Sequence, residues 1–139
     1  MILGIGTDIV DSRRIEAAIA RHPNKFSKRI YSLAELSAAK KVASPVKFLA
    51  KRFAVKEALY KALSPSGVKG CSWLDAETLT MRSGAPCVHL TGRCKMALEA
   101  MTPDGYNANL SVSLSDETHF ALAFIIISAV EADWIKTNE

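Results

Sequence analysis

Residues 48–58 read Phe48-Leu49-Ala50-Lys51-Arg52-Phe53-Ala54-Val55-Lys56-Glu57-Ala58, and Leu59-Tyr60-Lys61-Ala62-Leu63 continues them. At about 100° per residue, Phe48, Val55, Leu59 and Leu63 form one stripe, which Leu49, Phe53 and Tyr60 widen around the side. Arg52 and Lys56, one turn apart, fall inside this apolar sector. Glu57 and Lys61 make a second pair on the far side, beside the small Ala50 and Ala54. On an ordinary helix such a pair is a surface feature worth about 0.3 kcal/mol, and basic stems snorkel. Here apolar residues encircle so much of the helix that four charges are hard to place in solvent together. Ser44-Pro45 supplies an N-cap and a proline at the first helical position, and Ser64-Pro65-Ser66-Gly67 breaks the pattern. A long central helix over about 45–63 is expected.

Working outward, residues 2–10 read as a strand, apolar on both faces and so expected at the centre of a sheet. Asp11 or Ser12 can cap a helix to about His22. Ser32 and Glu35 have capping-box spacing and open a helix to about Val42. Residues 76–82 and 87–91 look like strands joined by the turn Ser83-Gly84-Ala85-Pro86. A short helix fits Arg93–Met101. Leu110, Val112 and Leu114 alternate with Ser111, Ser113 and Ser115 as a half-exposed strand, and Asp116-Glu117-Thr118 turns it into an apolar strand over 119–128. Helices early and hairpins late argue for an α+β domain, a mostly antiparallel sheet packed on the long helix. The chain has 139 residues, which suits one domain over 1–139, with 130–139 as a weak tail.

With 49% apolar and 23% charged residues the chain can bury a core, so a largely disordered chain is not expected. The longest apolar run, Phe120 to Val130, is shorter than the roughly 20 residues of a membrane span, and no signal-like basic start precedes Ile2-Leu3. A cytoplasmic protein with no membrane partner is expected. Cys71, Cys87 and Cys94 are an odd set without a Cys-x-x-Cys, so reduced thiols are the default. The net charge of +4 fits a polyanionic small molecule, an acidic protein or a nucleic acid. The aromatics fall in apolar patterns and no recognition motif is present, so no nucleic acid is expected.

Asp8 shares one strand face with Gly4, Gly6 and Val10. A carboxylate there needs a cation, a metal or strong donors, and the glycines allow close approach of another element or a ligand. Capping the next helix or pairing with an arginine would satisfy it equally. Gly4-Ile5-Gly6 lacks the third glycine of a dinucleotide fingerprint, since Ile9 stands there, and no P-loop is present. On the early helix Arg14, Ala18 and Arg21 line one face: a solvated basic stripe, or a dock for an acidic helix. His22, His89 and His119 have no metal-ligand spacing. No nucleophile elbow is visible.

Two segments together resemble one family. Gly4-Ile5-Gly6-Thr7-Asp8-Ile9-Val10 followed by Arg14-Ile15 resembles the N-terminal signature of holo-acyl-carrier-protein synthases. Residues 48–58 with Lys61-Ala62 resemble their second signature at a similar separation. Gly84-Ala85-Pro86 and Val112-Ser113-Leu114-Ser115 follow in order, so the resemblance covers residues 2 to about 128. It implies the 4′-phosphopantetheinyl transferase fold and a function in fatty acid biosynthesis. The 4′-phosphopantetheine arm of coenzyme A passes to a serine of an apo acyl carrier protein, and adenosine 3′,5′-bisphosphate leaves. It also implies a homotrimer with an active site at each subunit interface.

By the same resemblance Asp8 and Glu57 match the Mg²⁺ ligands, with Mn²⁺ an allowed substitute. Lys61 would reach the coenzyme A phosphates. Arg52 and Lys56 would be anion partners or structural charges paired across an interface. Gly67 and Pro86 fall at expected coenzyme A contacts. Arg14 matches a carrier-contacting position, and Arg21 extends that basic stripe toward the acidic carrier. Three positions depart from the pattern. Ser64-Pro65-Ser66-Gly67 replaces a Gly-Thr-Gly-like turn. Asp116 stands where many relatives have histidine, which leaves Asp116, Glu57 or a metal-associated water as candidate bases. Ser128 stands where relatives tend to have glutamate. The changed turn keeps a second reading open: a module that grips coenzyme A or a carrier protein without transferring anything.

Overall fold

The computed structural model describes residues 1–133. Strand β1 (Ile2–Asp11) leads into α1 (Ser12–Arg21), α2 (Lys25–Ile30), α3 (Leu33–Ala39) and the long α4 (Pro45–Leu63). A 3₁₀ turn at Ser64–Ser66 and another at Trp73–Asp75 connect to the hairpin β2 (Ala76–Thr80) and β3 (Pro86–Leu90). Helix α5 (Gly92–Met101) and a long hairpin, β4 (Tyr106–Glu117) and β5 (Phe120–Glu131), complete the order. Three strands form one antiparallel sheet in the order β1-β5-β4, and β2-β3 is a separate ribbon. The α+β class and the antiparallel sheet packed on the long helix are as expected.

Helix α4 lies on one face of the sheet against β1, β5 and β4. The contact is close because both sides are small. Ala54, Ala58 and Ala62 are fully buried on the helix, and Ala121, Ala123 and Ala129 on β5 are nearly so. Gly4 and Gly6 meet the backbone of α4 directly, and a β-carbon on Gly6 would overlap the carbonyl of Ala58. Val55, Leu59, Ile125 and Ile127 fill the space beside this joint. Removing one of these branched side chains would cost about 2–5 kcal/mol.

Several boundaries differ from expectation. Strand β1 is an edge, not the centre: β5 takes the middle, and Ile5 and Ile9 are 58% and 64% exposed. Apolar residues on both faces suggested burial on both sides, but the outward face is uncovered within one chain. Helix α3 ends at Ala39 rather than Val42, where the Lys41 N–H bonds to the Ala38 carbonyl and tightens the last turn. Helix α2 was not anticipated; it is six residues long and Asn24 makes no side-chain cap. Asp116 and Glu117 remain in β4, and the turn falls at Thr118-His119, with Thr118 at φ 28°. Val130 and Glu131 belong to β5 rather than to a tail, and residues 134–139 of that expected tail lie outside the described residues. The capping box of Ser32 and Glu35 and the Asp11 cap on α1 are present.

Candidate active site

The close joint between β1 and α4 has a direct consequence for two acids. Asp8 follows Gly4 and Gly6 on the same strand face and so is carried against α4, where Glu57 and Lys61 face it one turn apart. Asp8 and Glu57 are both half-buried and line one cleft of about 380 Å³. The other walls include Arg14, Ile15, Ala18, Phe26 and Phe53. The Lys61 ammonium donates to the Thr7 carbonyl at 2.8 Å and to Asp8 Oδ1 at 3.1 Å. The surface pair imagined between Glu57 and Lys61 thus gives way to a bridge from helix to strand.

Burial raises the Glu57 carboxyl above its ordinary range, the negative Asp8 nearby raises it further, and Lys61 opposes both. Two carboxylates line one cleft, and one ammonium is bonded to the first of them. Such a donor set suits a hard divalent cation, which uses one or two carboxylates and leaves positions for water and phosphate oxygens. Among the described residues no third acidic, histidine or cysteine side chain joins them.

The remaining candidates scatter. Arg14 reaches the cleft from α1, and Arg21 lies exposed at the far end of that helix. Asp116 is elsewhere: its carboxylate is 3.7 Å from the Lys51 ammonium, in a small recess with Lys47 and His119. Gly67, at φ 72°, lines a recess of about 240 Å³ with Tyr60, Lys69 and Gly70, and the left-handed backbone there requires glycine. Pro86 opens β3, away from the cleft.

One expected anion contact, that of Lys56, needs correction. Lys56 is 1% exposed and donates to Glu35 Oε1, the Trp73 carbonyl and the Ala76 carbonyl, so no proton remains for a phosphate. Its partner lies within the chain, not across an interface. Arg52 is also buried, with one terminal nitrogen on Thr80 Oγ1 at 3.1 Å and its guanidinium 4.2 Å from the Phe48 ring centroid. Its Nε has no partner among the described residues. The apolar wall from Phe26 and Phe53 was not singled out from sequence. Phe53 lay on the edge of the α4 stripe, which signalled burial rather than a cleft. Glu35 was read only as a capping residue, since nothing local announces its long-range partner Lys56.

Comparison with known proteins gives this arrangement a family. The family model for the 4′-phosphopantetheinyl transferase superfamily matches residues 4–125. A holo-[acyl-carrier-protein] synthase of Azorhizobium caulinodans is 42% identical over 129 residues, covering 93% of this chain and 95% of its own. The crystal structure of the Neisseria meningitidis holo-[acyl-carrier-protein] synthase superposes with a TM-score of 0.78 at 35% identity, over 92% of this chain and 99% of the other. That of the Helicobacter pylori enzyme, in complex with coenzyme A, superposes at 0.71 with 30% identity, over 89% and 99%. Spanned nearly end to end by such relatives, the chain belongs to the 4′-phosphopantetheinyl transferase superfamily, among the holo-[acyl-carrier-protein] synthases.

Proposed function

We propose that this chain transfers the 4′-phosphopantetheine arm of coenzyme A to a serine of an apo acyl carrier protein, in the service of fatty acid biosynthesis in the cytoplasm. The observation that carries this reading is the cleft in which Asp8 and Glu57 converge beside Lys61. The serine oxygen attacks the phosphorus next to the pantetheine arm. The bond from that phosphorus to the bridging diphosphate oxygen breaks, and adenosine 3′,5′-bisphosphate carries the charge away. The attacking serine belongs to the carrier, consistent with a cleft that offers acids, a lysine and apolar walls rather than a nucleophile.

Asp8 and Glu57 would hold Mg²⁺, or Mn²⁺ in its place. When bound, the ion would polarise the attacked phosphorus and neutralise charge growing on the leaving diphosphate. Lys61 is exposed enough to leave Asp8 and meet a phosphate as a point charge. Asp116 faces Lys51 in a separate recess, which leaves Glu57 as the better-placed proton acceptor within one chain. Arg14, next to Ile15 and Ala18, gives the cleft rim a basic and apolar face suited to an acidic carrier helix, with Arg21 extending it. The uncovered sheet face of Ile5, Ile9, Leu122 and Phe124 supports a homotrimer closed over that surface. Gly67 and Pro86 would reach coenzyme A only across such an interface or from the neighbouring recess.

The test is mass spectrometry of apo carrier protein incubated with coenzyme A, Mg²⁺ and this chain. Transfer adds the covalent arm; gripping coenzyme A or the carrier without transfer adds nothing. Asp8→Ala and Glu57→Ala are expected to abolish the added mass while leaving thermal unfolding cooperative. Parent-rate modification by both variants would remove the assignment.

A further inference from the structure

Lys56 faces away from the cleft, yet it is among the most enclosed side chains of the protein. Its ammonium is 2.8 Å from Glu35 Oε1, 2.9 Å from the Trp73 carbonyl and 2.7 Å from the Ala76 carbonyl. Glu35, with no exposed surface, also accepts the Ser32 N–H at 2.9 Å and the Thr78 N–H at 3.2 Å. One ion pair therefore fastens α4 to α3, to the 3₁₀ turn at Trp73–Asp75 and to β2.

A buried pair of this kind is a poor source of stability, because desolvation offsets most of its attraction. Its best-attested use is to specify register, and α4 has a need for that. The sheet-facing side of α4 is alanine, set against glycine and alanine. Small residues permit close approach but offer few protruding side chains to interlock, so that joint alone resists rotation and sliding weakly. Glu57 is the next residue after Lys56. Each helical step turns by about 100°, so fixing the direction of Lys56 fixes the direction in which Glu57 leaves the helix. A second route reaches the same cleft. Lys56 holds the Trp73 carbonyl, Trp73 stacks on Phe53 with centroids 5.1 Å apart, and Phe53 forms the cleft wall.

We propose that the buried Glu35–Lys56 pair is a positioning device for the active site: it sets the rotation and axial register of α4 on the sheet, and thereby the placement of Glu57 against Asp8. Both are buried and neither lines the cleft, so both are positioning residues. The inference rests on the reading of Asp8 and Glu57 as the divalent-cation ligands.

The test uses the full chain with two variants. Glu35→Gln/Lys56→Met removes both charges together, and the remaining amide oxygen can accept from one of the two backbone N–H groups that Glu35 serves. Glu35→Asp keeps both charges but withdraws the carboxylate by one methylene, and stands in if the double variant does not fold. Mn²⁺ affinity is read by electron paramagnetic resonance without coenzyme A, and kcat and KM for coenzyme A are measured well below each variant's Tm. A weakening of Mn²⁺ binding by about 10–100-fold is expected, the usual effect of losing an outer support of a metal ligand. A comparable fall in kcat with KM within about twofold would accompany it. Thr102→Val, which removes the hydroxyl's bond to the Leu98 carbonyl at the end of α5 and lies outside both α4 and the pair, serves as the comparison: it should lower Tm without moving these constants. Variants that lose stability but keep the parent's Mn²⁺ affinity and kcat would overturn the proposal. A parent chain that neither binds Mn²⁺ nor transfers the arm would refute the site reading itself, a different result from a parent that does both while its variants match it.

Discussion

Gly6→Ala tests the joint on which the cleft is built. The added carbon would overlap the Ala58 carbonyl oxygen and lie 2.9 Å from both the Ala58 carbonyl carbon and the Ala62 nitrogen. Nonbonded carbons normally sit about 3.5–4.0 Å from their neighbours, so α4 must withdraw by roughly 1 Å at Ala58. No flexible side chain can absorb this, because the obstructing atoms are backbone. Overpacking a close-packed interior costs about 1–3 kcal/mol, and the upper end applies here. For a chain of this size that corresponds to a fall in Tm of roughly 10 °C. Glu57 adjoins Ala58 and moves with it, and a misplacement of about 1 Å in a catalytic constellation can lower turnover about a hundredfold. Gly105→Ala is the internal comparison. It meets open space and bears only the strain of φ 81°, about 1 kcal/mol, with no retreat of the helix. Calorimetry and the carrier-modification rate on both variants are the assays. A Gly6→Ala protein with the parent's Tm and rate would refute the claim that glycine sets this distance.

Three other outcomes follow from the structure. Arg14→Glu/Arg21→Glu should raise KM for the carrier by about tenfold or more and flatten its salt dependence, with KM for coenzyme A unchanged. Among the thiols, exposed Cys87 should react readily with Ellman's reagent. Cys94, pushed up to about 12 by burial and by neighbouring Cys71, should stay silent until unfolding. The Asp11 carboxylate is lowered to about 2, first by the Arg13 side chain and then by the Arg13 N–H. A carboxyl depressed on folding stabilises above its unfolded value and loses that contribution as pH falls through its folded one. The Tm gap between the parent and Asp11→Ala should hold above about pH 4 and close toward about pH 2. A gap that persists at pH 2 would show that Asp11 acts other than as an ionised cap.

Much of the architecture was legible because it is written locally. Pro45 at the first helical position, the Ser32/Glu35 box and the Ser83–Pro86 turn each mark a boundary through chemistry within a few residues, although the Ser44 side chain makes no capping bond. The Gly-x-Gly ahead of Asp8 announced a close approach, and the crowded charges on residues 52–61 announced engaged partners. What stayed hidden depends on distant pairing. Nothing near Lys56 names Glu35, and nothing near Ile5 tells whether a strand apolar on both faces has a second layer over it. Asp116 looked like a turn residue because its neighbours are polar, whereas pairing with Ala121 draws it into the strand.

The position of β1 also governs when the protein can begin to work. Its strand partner among the described residues is β5, drawn from the opposite end of the chain; Thr7 bonds to Ala123, and the Met1 amino group reaches the Ala129 carbonyl. Asp8 is therefore without its strand partner while the ribosome is still making the middle of the molecule, even once Glu57 has been synthesised. Closing so long a loop is slow and entropically costly, so the meeting of Asp8 with Glu57 waits on the C-terminal hairpin. A nascent or truncated chain lacking its final hairpin would carry nearly every residue of the cleft and still have nothing to hold them together.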